Sequence, residues 1–436
     1  MELTALYDLY QKHPQISTDT RKIDKGCLFF ALKGANFDGN AFAQQAIDKG
    51  AAYAIVDDKE KVTGKQFLLV EDVLSCLQRL ANFHRKQFDI PVIAITGSNG
   101  KTTTKELIGA TLKSHYPTHC TEGNFNNHIG VPLTLLAMPP KTEVAIIEMG
   151  ANHIGEIAFL CRIAEPTHGI ITNIGAAHLE GFGGIEGVKI GKGELYRFLE
   201  NNKGTAFVNL NEDYLKEMAG DRLYRIEYAE SNAPQKQNSI FQTKLLSINP
   251  FVEVAALSEF GELTNISSQL FGAYNFNNIQ TAITIGKYFK VPFAKIKKAI
   301  EAYNPQNNRS QVVKMGSNQF LLDAYNANPS SVSKALEGFA NHKVGRKMAI
   351  LGDMLELGTY SEQAHREIVK HAFDLDIPLV TVGSEFGKVR KKEKLHFANT
   401  QKLADWFWEQ KFEDTFFLLK ASRGIRLEGL LSSQSS

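Results

Sequence analysis

Lys101 closes a glycine-spaced loop, Thr96-Gly97-Ser98-Asn99-Gly100-Lys101-Thr102-Thr103-Thr104, whose residue types suit the holding of a polyphosphate. Glycines let the backbone turn tightly around an anion, the N–H groups opening the next helix point at it, and the lysine adds a mobile positive charge. The Thr102 hydroxyl is placed to hold Mg²⁺ on a nucleotide. Only Ser98 and Asn99 separate Gly97 from Gly100, so the loop is shorter than the usual GxxxxGK[ST] pattern and is not an ordinary GTPase or transporter site.

Further along, the apolar run Glu143-Val144-Ala145-Ile146-Ile147 delivers Glu148 at its end, where a carboxylate beside a phosphate loop suits Mg²⁺ coordination; a strand-end glutamate facing water is the plainer alternative. Thr172-Asn173-Ile174-Gly175-Ala176-Ala177-His178 brings an imidazole to the same rim, suited to a second metal ion or a phosphate, against the default of a solvated loop histidine. Gly191-Lys192-Gly193-Glu194-Leu195 reads as a glycine-rich helix start. Its lysine suits a phosphate contact or a charge-inverting modification that makes a metal ligand, with an exposed helix-surface lysine as the default. Late in the chain, Asp323-Ala324-Tyr325-Asn326-Ala327-Asn328-Pro329-Ser330-Ser331 gathers polar side chains at one strand exit, with Arg309, Lys420 and Arg423 as candidate anion contacts.

These residues need a scaffold of strands and helices in alternation. Strand candidates at Cys27–Leu32 and Ala52–Val56 flank a helix near Ala41–Lys49, and Pro91 starts a new strand pattern. Strands expected at Val92–Thr96, Val144–Glu148, Gly169–Ile174 and Thr205–Asn209 alternate with helices, the pattern of a mostly parallel, doubly wound sheet. Asp221–Gln269 alternates weakly and suits antiparallel strands. After the polar segment Asn304–Arg309, read as a linker, strands are expected at Phe320–Asp323, Lys347–Gly352, Leu379–Gly383 and Phe416–Lys420. The fold class is therefore α/β with three domains. Residues 1–88 form a small α/β domain, 89–303 a central P-loop ATPase domain with a mostly parallel sheet, and 304–436 a C-terminal dinucleotide-fold-like domain.

Composition sets outer limits. A chain of 436 residues exceeds one core of usual size, and its 43% hydrophobic content is ample for globular packing. A net charge of +2 argues against a nucleic-acid partner bound over a broad basic surface. Cys27, Cys76, Cys120 and Cys161 lie far apart without C-x-x-C spacing and fit a reducing compartment rather than a disulfide framework or zinc site. The N-terminus lacks a signal-peptide pattern and no run approaches the ~18 apolar residues of a membrane span, so a cytoplasmic location is expected.

Assembled, these residues resemble the Mur ligase family, in all three blocks. Thr96–Thr104, Glu148-Met149-Gly150-Ala151-Asn152-His153 and Ile154-Gly155-Glu156-Ile157 are similar to its central domain, and the Glu-Met-Gly-Ala-Asn run favours the member that adds D-alanyl-D-alanine. The resemblance implies that Gly97, Ser98, Asn99, Gly100, Lys101, Thr102 and Thr103 hold ATP, and that Thr102, Glu148 and His178 bind Mg²⁺. It implies that Lys192 is carbamylated and becomes an anionic metal ligand, making Lys101, Lys192 and His178 the catalytic set. Thr18, Asp19, Arg21, Asp38 and Asn40 match the part that holds a uridine nucleotide, which makes 1–88 a UDP-sugar-binding domain, and Asn124, Asn126 and Asn127 match a substrate-side loop. Asn275 matches the asparagine that meets the nucleotide base and Arg309 the arginine that meets its phosphates. Asp323, Tyr325, Asn326 and Asn328 match the Tyr-Asn-Ala-Asn motif, and Gly352-Asp353-Met354-Leu355-Glu356-Leu357-Gly358 is a further match. Where the family often has Gly-Arg-His-Asn this chain has Gly272-Ala273-Tyr274-Asn275, so only Asn275 is carried over; Gly191 replaces the usual alanine before the modified lysine.

The implied activity is ATP-dependent addition of D-alanyl-D-alanine to UDP-N-acetylmuramoyl tripeptide through an acyl phosphate, by a monomer, giving the pentapeptide precursor of peptidoglycan. The absence of a Ser/His/Asp or Cys/His signature agrees with chemistry that needs no nucleophilic side chain. Alternatives are another amide ligase of the superfamily, such as a single-amino-acid Mur ligase or a folylpolyglutamate synthetase, or a P-loop regulatory NTPase. A reactive acyl phosphate needs shelter from water, so a hinge is expected near Asn304–Arg309.

Overall fold

The computed structural model describes residues 2–235, 240–306, 308–342, 345–390 and 395–432. Asn307, within the segment read as a linker, lies outside the described residues.

Three α/β layers follow one another, as the sequence pattern requires. The first is a four-stranded parallel sheet of Ile16–Ser17, Leu28–Phe30, Tyr53–Val56 and Phe67–Leu69. The helix expected near Ala41–Lys49 is there as a 3-10 turn, Gly39–Phe42, running into Ala43–Asp48. Strands Ile16–Ser17 and Phe67–Leu69 were not expected, being too short to leave a periodic signal.

A helix at Val73–Arg85 joins this layer to the next. Its Leu77, Leu80 and Ala81 share one apolar core with Val131, Leu135 and Leu160 of the central layer. Arg85 adds hydrogen bonds to the carbonyls of Ala164 (3.0 Å) and Glu165 (3.2 Å), which end the helix Glu156–Ala164.

The central sheet has nine strands. From one edge, Thr118–Cys120, Val144–Glu148, Val92–Thr96, His168–Ile171, Thr205–Asn209, Tyr224–Glu230 and Phe241–Ser247 run parallel, and Glu253–Leu257 and Leu263–Ser267 close it as antiparallel strands. Val92–Thr96 and Val144–Glu148 are buried along their whole length, because helices cover both faces. Asp221–Gln269 thus holds antiparallel strands as anticipated, but its first two strands are parallel.

The strand expected over Gly169–Ile174 stops at Ile171. Thr172 and Asn173 leave the sheet because they tie down the phosphate loop: Thr172 Oγ1 (2.6 Å) and Asn173 Nδ2 (3.0 Å) both donate to the Asn99 carbonyl. The Gly191–Leu195 run is a second correction, since it lies inside the 17-residue helix Ile185–Asn201 rather than at a start. Its glycines permit close packing; a Cβ on Gly191 would lie 2.4 Å from the Phe182 ring.

The C-terminal layer is a six-stranded sheet in the order Gln311–Met315, Asn318–Asp323, Thr415–Lys420, Arg346–Gly352, Leu379–Val382 and His396–Phe397, parallel except for the first hairpin. Separate apolar cores, built around Leu336, Phe339 and Ile368 on one side and Phe407, Phe417 and Leu427 on the other, mark it as doubly wound. No helix among the described residues is long and apolar enough to cross a membrane.

Candidate active site

A cavity of about 990 Å³ opens between the central and C-terminal layers, at the carboxyl ends of their strands. Gly100, at φ 78°, turns the phosphate loop into the helix Lys101–Lys113, and Gly97, at φ 140°, lies so close to the next strand exit that a Cβ would stand 2.0 Å from Thr172 Oγ1. Lys101 Nζ donates back to the Gly97 carbonyl at 2.7 Å. Burial pushes its pKa below the usual lysine range; the Glu148 carboxylate works against that shift and Arg309 adds to it.

Glu148 is 2% exposed. Its Oε1 accepts from Thr102 Oγ1 (3.2 Å) and Asn126 Nδ2 (2.9 Å). Its Oε2 faces the Lys105 ammonium at 3.5 Å but receives no hydrogen bond. A buried carboxylate oxygen without a hydrogen-bond donor, next to a threonine hydroxyl, is the donor set a hard cation takes, so these residues fit Mg²⁺. No group of three or more His, Cys, Asp or Glu that could hold a metal occurs among the described residues. Lys105 was missed in the sequence, although its place four residues after Lys101 puts both on one helix face.

His178 reaches the cavity from a left-handed position (φ 54°) at the head of the short helix Leu179–Phe182, beyond the strand rim where it was expected. Its Nδ1 donates to Glu356 Oε2 of the C-terminal layer at 2.8 Å, which holds the Glu356 carboxyl below the usual range. Lys192 is a correction to the exposed default: it is 2% exposed, stands behind the cavity wall, and donates to the Ala151 carbonyl at 3.0 Å. Desolvation first, and nearby Lys101 second, push its pKa far below the usual lysine range, a trend Glu156 and Glu194 oppose. Glu194 in turn accepts from the N–H groups of Gly155 (2.5 Å) and Ala158 (2.8 Å), and so serves the first turn of helix Glu156–Ala164.

From the C-terminal layer, Asn328 caps the helix Pro329–Asn341 and also donates to Asn99 Oδ1 at 2.8 Å, while Asn99 Nδ2 donates to Ser330 Oγ at 3.0 Å. Lys420 pairs with Asp323 at 2.6 Å and donates to the Asn326 carbonyl at 3.2 Å. The Arg309 guanidinium lies 3.5 Å from the centre of the Tyr325 ring, with Arg423 at 5.0 Å from the same ring. Asn275 is 1% exposed, donates to the Phe271 carbonyl at 2.7 Å and accepts from Asn278 at 2.8 Å.

The cavity wall thus brings together Ser98 to Thr103, Asn124, Asn126, Asn127, Glu148, His178, Asn275, Arg309, Asp323, Tyr325, Asn326 and Asn328. It does not bring in Thr18, Asp19, Arg21, Asp38 or Asn40; among the described residues the first layer reaches it through Leu74, Ser75 and Gln78. Asp19 and Arg21 pair with each other at 2.7 Å, and Asn40 is committed to Asp38 and Asp57, each at 2.8 Å.

Comparison with known proteins agrees with this layout. Residues 14–97 match the model described as Mur ligase family, catalytic domain; 95–286 match Mur ligase middle domain; and 308–410 match Mur ligase, glutamate ligase domain. The UDP-N-acetylmuramoyl-tripeptide–D-alanyl-D-alanine ligase of Bacillus subtilis is 34% identical, over 95% of this chain and 92% of its own. The crystal structure of MurF from Acinetobacter baumannii superposes with a TM-score of 0.85 at 29% identity, covering 96% of this chain and 92% of that one. MurF ligase from Thermotoga maritima, solved in complex with ADP, gives 0.82 at 26% identity over 96% of both chains. With all three layers matched in order and a relative this similar along nearly its whole length, the chain belongs to the Mur ligase family.

Proposed function

We propose that this protein joins D-alanyl-D-alanine to the terminal carboxylate of UDP-N-acetylmuramoyl tripeptide, using ATP, in the cytoplasm and as a monomer. The observation that carries the reading is the meeting of the phosphate loop and the Asp323–Asn328 strand exit across one cavity, in a chain matched end to end by ligases of that name. A single-amino-acid ligase, a folylpolyglutamate synthetase and a regulatory NTPase are not favoured by those relatives.

The γ-phosphoryl group of ATP passes to the tripeptide carboxylate, giving an acyl phosphate and ADP. The dipeptide amine then attacks the acyl carbon, the C–N bond forms, the nitrogen gives up one proton, and inorganic phosphate leaves with the C–O bond's electrons and takes up that proton. Charge builds on the transferred group, so the Lys101 ammonium and the N–H groups opening Lys101–Lys113 are the stabilising partners. Thr102 and Glu148 would hold Mg²⁺, whose charge would offset that of the phosphates. Lys192, desolvated behind the cavity wall, has its amine lone pair more available than an ordinary lysine, and this supports its carbamylation, in which the nitrogen bonds to CO₂, gives up a proton to solvent and becomes anionic. Arg309 and Asn275, on the cavity wall, are the contacts of this reading for the nucleotide's phosphates and base, and residues 1–88 carry the uridine end of the substrate through Thr18, Asp19, Arg21, Asp38 and Asn40. The 1–88, 89–303 and 304–436 division is then one domain per ligand group, with closure excluding water from the acyl phosphate.

The test is phosphate release from ATP with the UDP-linked tripeptide, comparing D-alanyl-D-alanine with single amino acids. Release that needs both tripeptide and dipeptide, with the pentapeptide seen by mass, is expected. Release with one amino acid moves the protein to a sister ligase, and release without acceptor undoes the mechanism.

A further inference from the structure

The run Gly352–Gly358 is pinned by hydrogen bonds to several parts of the C-terminal layer. Asp353 accepts the N–H groups of Glu385 and Phe386, each at 2.9 Å; Met354 N–H donates to His365 Nε2 at 3.0 Å and Leu355 N–H to Ser422 Oγ at 2.9 Å. Met354 and Leu357 are 1% and 2% exposed in the C-terminal core. The loop is therefore a rigid finger of the C-terminal layer, and it presents Leu355 and Glu356 to the cavity.

Its target belongs to the central layer. Glu356 (φ 66°) and His178 (φ 54°) are both non-glycine residues in the left-handed region, and they meet at 2.8 Å. Such strain persists where the surroundings over-determine it and gathers at functional sites. Beside them Gly358, at φ 54°, lies so near Glu180 that a Cβ would stand 2.8 Å from its carboxyl. The His178 and Glu356 side chains are 25% and 63% exposed, so the pair is a poor clamp on the domains. What it fixes is direction. A carboxylate only accepts, so the shared proton is on Nδ1, and Nε2 is the ring nitrogen left for another partner.

We propose that Glu356 is a positioning residue: across the domain interface it fixes the His178 tautomer and ring plane, so that Nε2 is presented to the nucleotide side only while the C-terminal layer is docked. This rests on the reading of His178 as a phosphate or metal contact in the proposed reaction. It makes assembly of the phosphate site conditional on closure, through a hydrogen bond that one domain alone cannot make.

The experiment uses full-length protein with ¹⁵N-labelled histidine, in Mg²⁺ and ADP, for wild type, E356A, E356Q, H178A and H178A/E356A. Wild type shows His178 as the Nδ1–H tautomer, E356A shows a mixture, and E356Q, whose amide oxygen still accepts, keeps the wild-type form. In turnover, kcat of E356A falls by about 10- to 100-fold, E356Q recovers most of it, and the double variant is no slower than H178A. An unchanged tautomer in E356A, E356Q as impaired as E356A, or losses that multiply in the double variant each overturn the proposal. A fully active H178A overturns the reading of His178 itself, and the tautomer spectrum then still decides whether Glu356 orients the ring.

Discussion

Replacing Asn99 by alanine removes two hydrogen bonds that cross from the phosphate loop to the C-terminal layer, those with Asn328 (2.8 Å) and Ser330 (3.0 Å). The loop itself should survive. Its backbone is pinned independently, because Asn99 N–H donates to Asn173 Oδ1 at 3.0 Å and its carbonyl accepts from Thr172 and Asn173. The helix cap survives too, since Asn328 Oδ1 still accepts from Ser331 N–H at 2.9 Å. A neutral hydrogen bond contributes roughly 0.5–1.5 kcal/mol net, so two are worth about 2 kcal/mol. That moves the ratio of closed to open molecules by about 30-fold. Ser330→Ala, which removes one of the two from the opposite domain, should move it by about 5-fold. Small-angle scattering and inter-domain fluorescence transfer, with and without an ATP analogue and acceptor, read the closed fraction directly. The reasoning fails if Asn99→Ala and Ser330→Ala leave that fraction equal to wild type, or if no compaction on ligand binding occurs in any of the three proteins.

Other outcomes follow from single groups. Lys192→Ala should lower activity on the order of 100-fold and regain part of it with added short-chain carboxylate; a variant as active as wild type removes the carbamate from the mechanism. Lys105→Met leaves the buried Glu148 carboxylate without its cation and should destabilise the phosphate-loop region by about 3–5 kcal/mol, read as faster amide exchange along Lys101–Lys113; unchanged protection would mean the pair is dispensable. Burial against Phe207, Tyr288 and Phe289 pushes the His168 pKa down to about 4. Below about pH 6.5 the unfolded chain then takes a proton that the folded chain refuses, and stability falls as pH falls toward 4, by up to about 3 kcal/mol. Burial also lowers the pKa of His84, His119, His342, His365 and His396, so denaturant unfolding at pH 7 and 5 should show a shallower slope in His168→Gln than in wild type; equal slopes contradict the assignment.

The phosphate loop was legible because everything that shapes it is local. A strand, two glycines, a lysine and a helix follow one another within Val92–Lys113, and their order alone dictates where backbone N–H groups point. The apolar runs Val92–Ile95 and Val144–Ile147, alternating with helical stretches, announced a doubly wound parallel sheet, and so put Glu148 at a ligand-bearing edge. The three-layer α/β organisation and the family likeness were likewise written in successive segments. Tertiary structure decided what depends on partners far along the chain. Helical periodicity could not tell that Lys192 is buried behind Ala151 or that Lys105 faces Glu148, because a lone lysine in a helix is ordinarily solvated. Local pattern says nothing about how separate cores face each other. The contacts of Asn99 with Asn328 and Ser330, and of His178 with Glu356, therefore appear only once the C-terminal layer is set on the central one. The same packing leaves Asp19, Arg21 and Asn40 away from the cavity, since they sit in the first layer and, among its described residues, those that reach the wall lie on the helix Val73–Arg85.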